Sequence, residues 1–337
     1  MTDLATRYLG LAMPSPLIAS ASPVTSALAN LRLLARHGAG AVVLPSLFEE
    51  EIEAEMEAVE RLKGAGSESF AEARSYFPAA GTALLGAERT LELVAAARGE
   101  LDIPVIASLN GASRGGWTVY ARRIEDAGAS AIELNVYTIP ADLEESGAAV
   151  EERIVGVVRA VCAAVRVPVA VKLSPYFSAP GQMAKRLVAA GAAGLVLFNR
   201  FYQPDIDLAR LQLRRDLALS RPEEMRLALL WIGLLSGRIE ASLAATTGVD
   251  GAEEVVKYVL AGADAVMTTS ALLRHGIGHM RRLNDGLAAW LEGRGIGSVG
   301  EIRGRLSRGR IADPEAFERG NYITILQSRN RPAVRHG

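Results

Sequence analysis

Cysteine is almost missing from this chain: Cys162 is the single one in 337 residues. That excludes an intramolecular disulfide and an iron–sulfur cluster held by the chain's own thiolates. A charge imbalance is missing too. The 37 basic residues stand against 38 acidic ones, which gives no reason to expect nucleic acid or an anionic membrane as partner. Long apolar runs are absent, and the most apolar helical stretch, residues 227–235, is too short to cross a bilayer. The opening Met1-Thr2-Asp3-Leu4 has neither the basic start nor the apolar core of a signal peptide. No Pro/Gly/Ser-rich linker divides the chain. Together these absences predict a cytoplasmic protein with one large domain over residues 1–328 and a mobile tail at 329–337. Metal-ligand clusters are scarce as well. His275 and His279 lie one helical turn apart without an acidic or Cys partner at a ligand spacing, and the acidic run at residues 49–55 reads as a solvated helix face.

What is present is one phrase used four times. His37-Gly38-Ala39-Gly40 leads into Ala41-Val42-Val43-Leu44, and Gly128-Ala129-Ser130 leads into Ala131-Ile132-Glu133-Leu134-Asn135. Ala190-Gly191-Ala192 leads into Gly194-Leu195-Val196-Leu197, and Ala261-Gly262-Ala263-Asp264 leads into Ala265-Val266-Met267-Thr268. Each copy reads as a helix end, a Gly in the left-handed conformation of a C-cap, an apolar strand and a polar exit. Strands of that kind predict an α/β protein with the (β/α)8 TIM-barrel fold, whose chemistry sits at the carboxyl ends of the strands. Four more strands are expected at residues 17–21, 103–109, 167–171 and 241–245. The helices expected among them include 90–98, stopped by Gly99, 150–165, and 225–235, buried on most sides. Residues 283–292 and 299–306 read as closing helices. Residues 47–88 form an excursion long enough for a lid, with Arg74, Tyr76 and Phe77 as its candidates to touch a ligand. Residues 203–220 read as an irregular charged segment that wraps the rim or meets a partner subunit.

The strand exits carry the candidate chemistry. Ser20-Ala21-Ser22 is small enough either to let a flat ligand approach the backbone or to make a tight turn. The second exit is Pro45-Ser46; Asn110, Asn135 with Thr138, and Asn199 mark the third, fourth and sixth. Lys172 ends the fifth strand, where an ammonium is costly unless it meets an anion or polar ligand, or snorkels to the rim. Thr247-Gly248 and Thr269-Ser270 occupy the last two exits. In barrels these loops and a nearby helix start commonly hold a phosphate, since hydroxyls and exposed N–H groups suit an anion; ordinary N-capping is the plain alternative. Cys162, among Val158, Val161 and Val165, reads as a packed apolar residue.

Ser20-Ala21-Ser22, Glu133-Leu134-Asn135, Lys172-Leu173-Ser174-Pro175-Tyr176-Phe177 and the paired exits Thr247-Gly248 and Thr269-Ser270, in this order, resemble the dihydroorotate dehydrogenases, which are FMN-containing barrels. The resemblance covers about residues 16–306. It implies FMN as cofactor, with Ser20 and Ala21 against the flavin and Ser46 and Asn110 as further flavin contacts. It places Asn135 between flavin and substrate, and Lys172 near the flavin's pyrimidine edge, where a positive charge steadies the anion formed on hydride uptake. It sets Thr247, Gly248, Thr269 and Ser270 around the phosphate and leaves Asn199 as a substrate contact.

The chain departs from the family's pattern where dihydroorotate would be held. The catalytic base, a Cys or Ser in the family, falls on Thr138, whose hydroxyl is a poor base without help. The asparagine expected shortly after it falls on Pro140, and the lysine expected after the second strand falls on Pro45. The expected lid asparagine is missing near Arg74-Ser75-Tyr76. The flavin half of the site is thus retained and the dihydroorotate half largely replaced. The resemblance therefore predicts a soluble FMN-dependent oxidoreductase acting on CH–CH donors, taking hydride from a small cyclic substrate. Without a cluster of its own, and without the amphipathic N-terminal extension of membrane-associated members, it would pass electrons to a soluble acceptor or an electron-transfer subunit; a homodimer is compatible with this. Two alternatives stand beside it: a catalytically divergent flavin-binding accessory subunit, and a phosphosugar aldolase using Lys172 as a Schiff-base nucleophile.

Overall fold

The computed structural model describes residues 2–48, 86–110, 117–200, 203–214 and 218–317. Eight parallel strands close into a barrel in the order β3 (Leu17–Ala19), β4 (Ala41–Phe48), β5 (Val105–Asn110), β6 (Ala131–Asn135), β7 (Val169–Leu173), β8 (Gly194–Leu197), β11 (Ser242–Ala245) and β12 (Ala265–Thr268). Helices alternate with them, as the repeated phrase predicts. Gly38, Gly128, Gly191 and Gly262 all have positive φ, between 87° and 120°, a region that costs a side chain and costs glycine nothing. Two shells of apolar side chains result. One fills the space between strands and helices; the other lies inside the barrel and includes Ile18, Val43, Ile106, Ala131, Ala170, Val196 and Met267.

The base of the barrel is sealed by a hairpin that the sequence pattern did not reveal. β1 (Thr6–Tyr8) pairs antiparallel with β2 (Leu11–Met13) across a turn at Leu9 and Gly10. Tyr8, Leu9 and Met13 join the interior cluster. A Cβ on Gly194 would sit 2.4 Å from Leu9 Cδ2, so this strand position needs glycine to admit the plug. The Leu9 N–H donates to Ser242 Oγ at 3.0 Å, and Thr6 Oγ1 donates to the Asp264 carbonyl at 3.2 Å.

Several expected boundaries move. β4 does not stop at Pro45 but runs through it to Phe48, with a register irregularity between Val43 and Ser46 that accommodates a residue with no N–H to give. β7 reaches Leu173, so Lys172 lies within a strand rather than after it. Gly99 does not end its helix, which spans Gly86–Glu100; no positive φ is needed there. The helix at Met225–Leu235 is only partly buried, with Leu227 on its open side. The last closing helix is short, Val299–Ile302, because Gly304 (φ 70°) turns the chain. Part of the segment expected to be irregular forms a hairpin, β9 (Asp205–Asp207) with β10 (Gln212–Arg214). The expected lid falls mainly on residues 49–85, and with it Arg74, Tyr76, Phe77 and the acidic run; these and the tail at 329–337 lie outside the described residues.

Cys162 sits in the helix Gly147–Ala164 against Gly191, whose added Cβ would meet Cys162 Cβ at 2.8 Å. Burial pushes its thiol up to about 11 from 9.0. A thiol that much harder to ionise carries about a hundredfold less thiolate near neutral pH. The native protein is therefore expected to react with maleimide about a hundredfold more slowly than the urea-unfolded chain. Equal rates would show that the thiol is not packed as described.

Candidate active site

Strand alternation decides which side chains reach the barrel axis. Ala131, Glu133 and Asn135 share one face of β6, and Ala170 and Lys172 share one face of β7; Ala131 and Ala170 belong to the interior cluster. Glu133, Asn135 and Lys172 therefore rise above it toward the carboxyl-end mouth. The register places Asn135 opposite both Asn110 and Lys172. Lys172 Nζ lies 3.4 Å from Glu133 Oε1, with the Lys side chain 12% exposed and the Glu side chain 1%.

At the mouth a cavity of about 150 Å³ gathers the exits of β3, β7, β8, β11 and β12. Ser20, Ala21, Lys172, Asn199, Thr247, Gly248, Thr269 and Ser270 all line it. Two hydrogen bonds tie the exits together: Thr269 Oγ1 donates to the Ser20 carbonyl at 3.1 Å, and Asn199 Nδ2 donates to Asn135 Oδ1 at 2.7 Å. Asn135 thus reaches the cavity through Asn199. Ser46 and Asn110 stand on the neighbouring strands β4 and β5; Ser46 Oγ is 2.8 Å from Ser108 Oγ. Thr138 is placed elsewhere. It lines a separate, mainly apolar niche of about 190 Å³ with Val136, Ile139, Pro140, Tyr176 and Phe177.

The β11 exit is held in an unusual backbone shape. Thr247 has φ 82° and Gly248 φ 75°. A β-branched residue there is strained, and the strain is fixed from outside: Tyr258 Oη donates to the Thr247 carbonyl at 2.8 Å. Burial, with Glu254's charge adding to it, holds the Tyr258 phenol well above its ordinary range, so it stays a donor.

Ser220 has a place here that its sequence context did not show. Its Oγ donates to Ser270 Oγ at 3.0 Å and accepts the Gly248 N–H at 3.3 Å. Residues 218–220 thus line this chain's own cavity, the first of the two alternatives open for that segment. Arg274 donates to the Ser220 carbonyl at 3.0 Å and pairs with Asp250. Asp250 also meets both histidines: its Oδ1 is 3.4 Å from His275 Nε2, and its carbonyl is 2.7 Å from His279 Nε2. His275 thus has an acidic partner that its spacing did not suggest, whereas His279 meets only the main chain of that residue. Among the described residues no group of three or more metal-capable side chains forms. Nor is any described helix long and apolar enough to cross a membrane.

The cavity is part polar and part apolar, with the Lys172 ammonium and Arg200 on its wall and uncharged hydroxyls and N–H groups at one end. That donor set can bind an anionic tail while steadying negative charge on a polar ring edge.

Comparison with known proteins agrees with the family that these exits suggest. The family model described as dihydroorotate dehydrogenase matches residues 4–291. A putative dihydroorotate dehydrogenase A (fumarate) of Aeropyrum pernix is 32% identical over 239 residues, covering 68% of this chain and 76% of that protein. The catalytic subunit of a dihydroorotate dehydrogenase B (NAD(+)) from a Geobacillus species is 30% identical over 193 residues, 55% of this chain and 61% of the relative. Its counterpart in Methanothermobacter thermautotrophicus is 30% identical over 210 residues, 60% of this chain and 69% of the relative. With the family match running across all eight barrel strands, this chain belongs to the dihydroorotate dehydrogenase family and is a dihydroorotate-dehydrogenase-like oxidoreductase.

Proposed function

We propose that the protein is an FMN-dependent oxidoreductase that takes hydride from a small cyclic substrate other than dihydroorotate. One observation carries this: Lys172 shares a cavity with the Thr247-Gly248 and Thr269-Ser270 exits. The residues fit FMN by their chemistry. An ammonium has three donors, and the one hydrogen bond of Lys172 among the described residues is the 3.4 Å contact to Glu133. Its remaining donor capacity meets the cavity. In this reading Thr247, Gly248, Thr269 and Ser270 hold the phosphate, and Ser20 and Ala21 lie along the ring. Ser46, Asn110 and Asn135 contact the flavin, Lys172 faces its pyrimidine edge, and Asn199 faces substrate. FMN, when bound, supplies the hydride-accepting ring. Lys172 steadies negative charge there, and the Asn199–Asn135 pair orients polar groups above it.

The substrate half favours a different molecule. Pro45 and Pro140 stand where charged and amide contacts would be, and Thr138 borders an apolar niche. A site built for one polar substrate loses roughly 10⁴ or more in specificity when its partners go. Electrons leave to a soluble acceptor or an electron-transfer subunit, as fumarate and NAD(+) in the relatives' names suggest for those proteins. The same placement of Thr138, away from Lys172, favours a second reading, a flavin-keeping accessory subunit without substrate chemistry of its own.

The purified protein is expected to show a flavin spectrum. Anaerobic dihydroorotate should bleach it at least a thousandfold more slowly than the best of a panel of cyclic amides. A protein that stays colourless after incubation with FMN overturns the cofactor; rapid bleaching by dihydroorotate overturns the substrate argument. Bleaching by none of the panel, with co-purification alongside a larger oxidoreductase, selects the accessory reading.

Gly248→Ala tests the phosphate end. Its Cβ would sit 2.9 Å from both the Arg221 carbonyl and the Met225 nitrogen, displacing the exit. FMN binding is expected to weaken at least tenfold, about 1.4 kcal/mol, by fluorescence titration. Gly237→Ala, also at positive φ but facing open space, is the control and should leave affinity unchanged.

A further inference from the structure

Glu133 is the one charged residue of the strand motif to which no role has been given. It is 1% exposed, at the barrel axis, and its Oε2 has no hydrogen-bond partner among the described residues. A buried carboxylate with a bare oxygen is costly, so its retention needs a reason. Below it lies Tyr8, whose buried hydroxyl is likewise without a partner. Burial first, then the charges of Glu133 and Asp264, holds that phenol well above its ordinary range; Tyr8 therefore stays neutral and cannot balance the carboxylate. Lys172 can. It is the one cation paired with Glu133 among the described residues, and the pair is out of water on the Glu side and nearly so on the Lys side.

We propose that Glu133 is the positioning residue for Lys172: it anchors the ammonium at the barrel axis and, by claiming part of its charge, limits how strongly Lys172 favours reduced over oxidised FMN. This rests on the FMN reading above. The 3.4 Å separation matters to the proposal. It is at the far edge of hydrogen bonding, so the ammonium is tethered but not saturated, and its other donors remain for the ring edge. The carboxylate's negative charge offsets the ammonium's in a medium where neither is well screened.

The test is a double-mutant cycle read by FMN affinity in both redox states and by the midpoint potential. Glu133→Gln keeps the shape and removes the charge. It is expected to raise the ratio of reduced to oxidised FMN affinity about tenfold, a potential more positive by ~30 mV for a two-electron couple. Glu133→Asp, which keeps the charge, should bring the ratio back to within threefold of the parent. In a Lys172→Met background, Glu133→Gln should leave the ratio unchanged, because a residue acting through another is silent without it. A ratio unmoved by Glu133→Gln, or moved equally in both backgrounds, overturns the proposal. Should Glu133→Gln fail to fold, Glu133→Asp decides it: a carboxylate one methylene shorter holds the ammonium more loosely, so the ratio should rise measurably, within threefold, and the rise should vanish in the Lys172→Met background; no rise, or an equal rise in both backgrounds, overturns the proposal. If the parent binds no FMN at all, the cofactor reading itself has failed, a result distinguishable from a parent that binds FMN indifferently to Glu133.

Discussion

Lys172→Met is expected to slow substrate-driven flavin bleaching by about 10²–10³, the range for removing one preorganised group that meets developing charge. The loss should lie in the rate at saturating substrate rather than in substrate affinity, because the ammonium is aimed at charge that grows during the reaction. Folding suffers as well. Removing one partner of a buried pair strands the other, at a cost on the order of 3–5 kcal/mol, and here the stranded group is a Glu only 1% exposed. The two effects separate in the double variant Lys172→Met with Glu133→Gln. Its thermal midpoint should recover most of the loss, since no buried charge remains, while the bleaching rate should not recover. Stopped-flow absorbance and a melting curve check both. A double variant that regained the rate would show that Lys172 served the fold alone.

Gly40→Ala should unfold the barrel's first seam. A Cβ there would lie 1.9 Å from the Ser15 carbonyl oxygen and 2.9 Å from its carbon. Both are backbone atoms, and neither can swing away. Ser15 is pinned, its Oγ donating to Asn284 Oδ1 at 2.6 Å and accepting from the Leu17 N–H at 3.1 Å. Gly40 is pinned as well, its N–H donating to the Leu17 carbonyl at 2.7 Å. Relief requires β3 and β4 to part at their base. Overpacking commonly costs 1–3 kcal/mol and more when backbone must move, so a loss on the order of 3–5 kcal/mol is expected. By circular dichroism this appears as a melting point lower by roughly 10 °C or as insoluble protein. Gly99→Ala is the contrast. It faces open space inside the helix Gly86–Glu100 and should be neutral or gain roughly 0.5–1 kcal/mol, as alanine does over glycine in helices. A Gly40→Ala protein as stable as the parent would mean that the close approach of Ser15 and Gly40 is not real.

The difference between these glycines also shows what the chain discloses before folding. Gly38, Gly128, Gly191 and Gly262 were readable because a left-handed C-cap followed by an apolar strand is a local requirement. Gly99 resembled them in type but had no such requirement, so the helix ran on through it. Pro45 reads as part of a strand exit; the barrel instead runs the strand through it, with a shift of register that accommodates a residue lacking a donor. The hairpin at β1 and β2 has strands of three residues each, too short to show a period. At the site, residues at strand exits could be found from the exit pattern alone, and eight of them line one cavity. Ser220 could not, because its bonds to Ser270 and Gly248 span 50 and 28 positions. Thr138 is matched through the family's pattern in the loop after β6, yet the turn there carries it to a different niche.

The plug formed by Tyr8, Leu9 and Met13 leaves Glu133 and Lys172 in a vessel closed at the bottom. Whatever settles on the upper rim then acts as a stopper. Solvent exchange, proton traffic and dielectric around the ion pair would all change when it seats or departs, with no motion of the strands required.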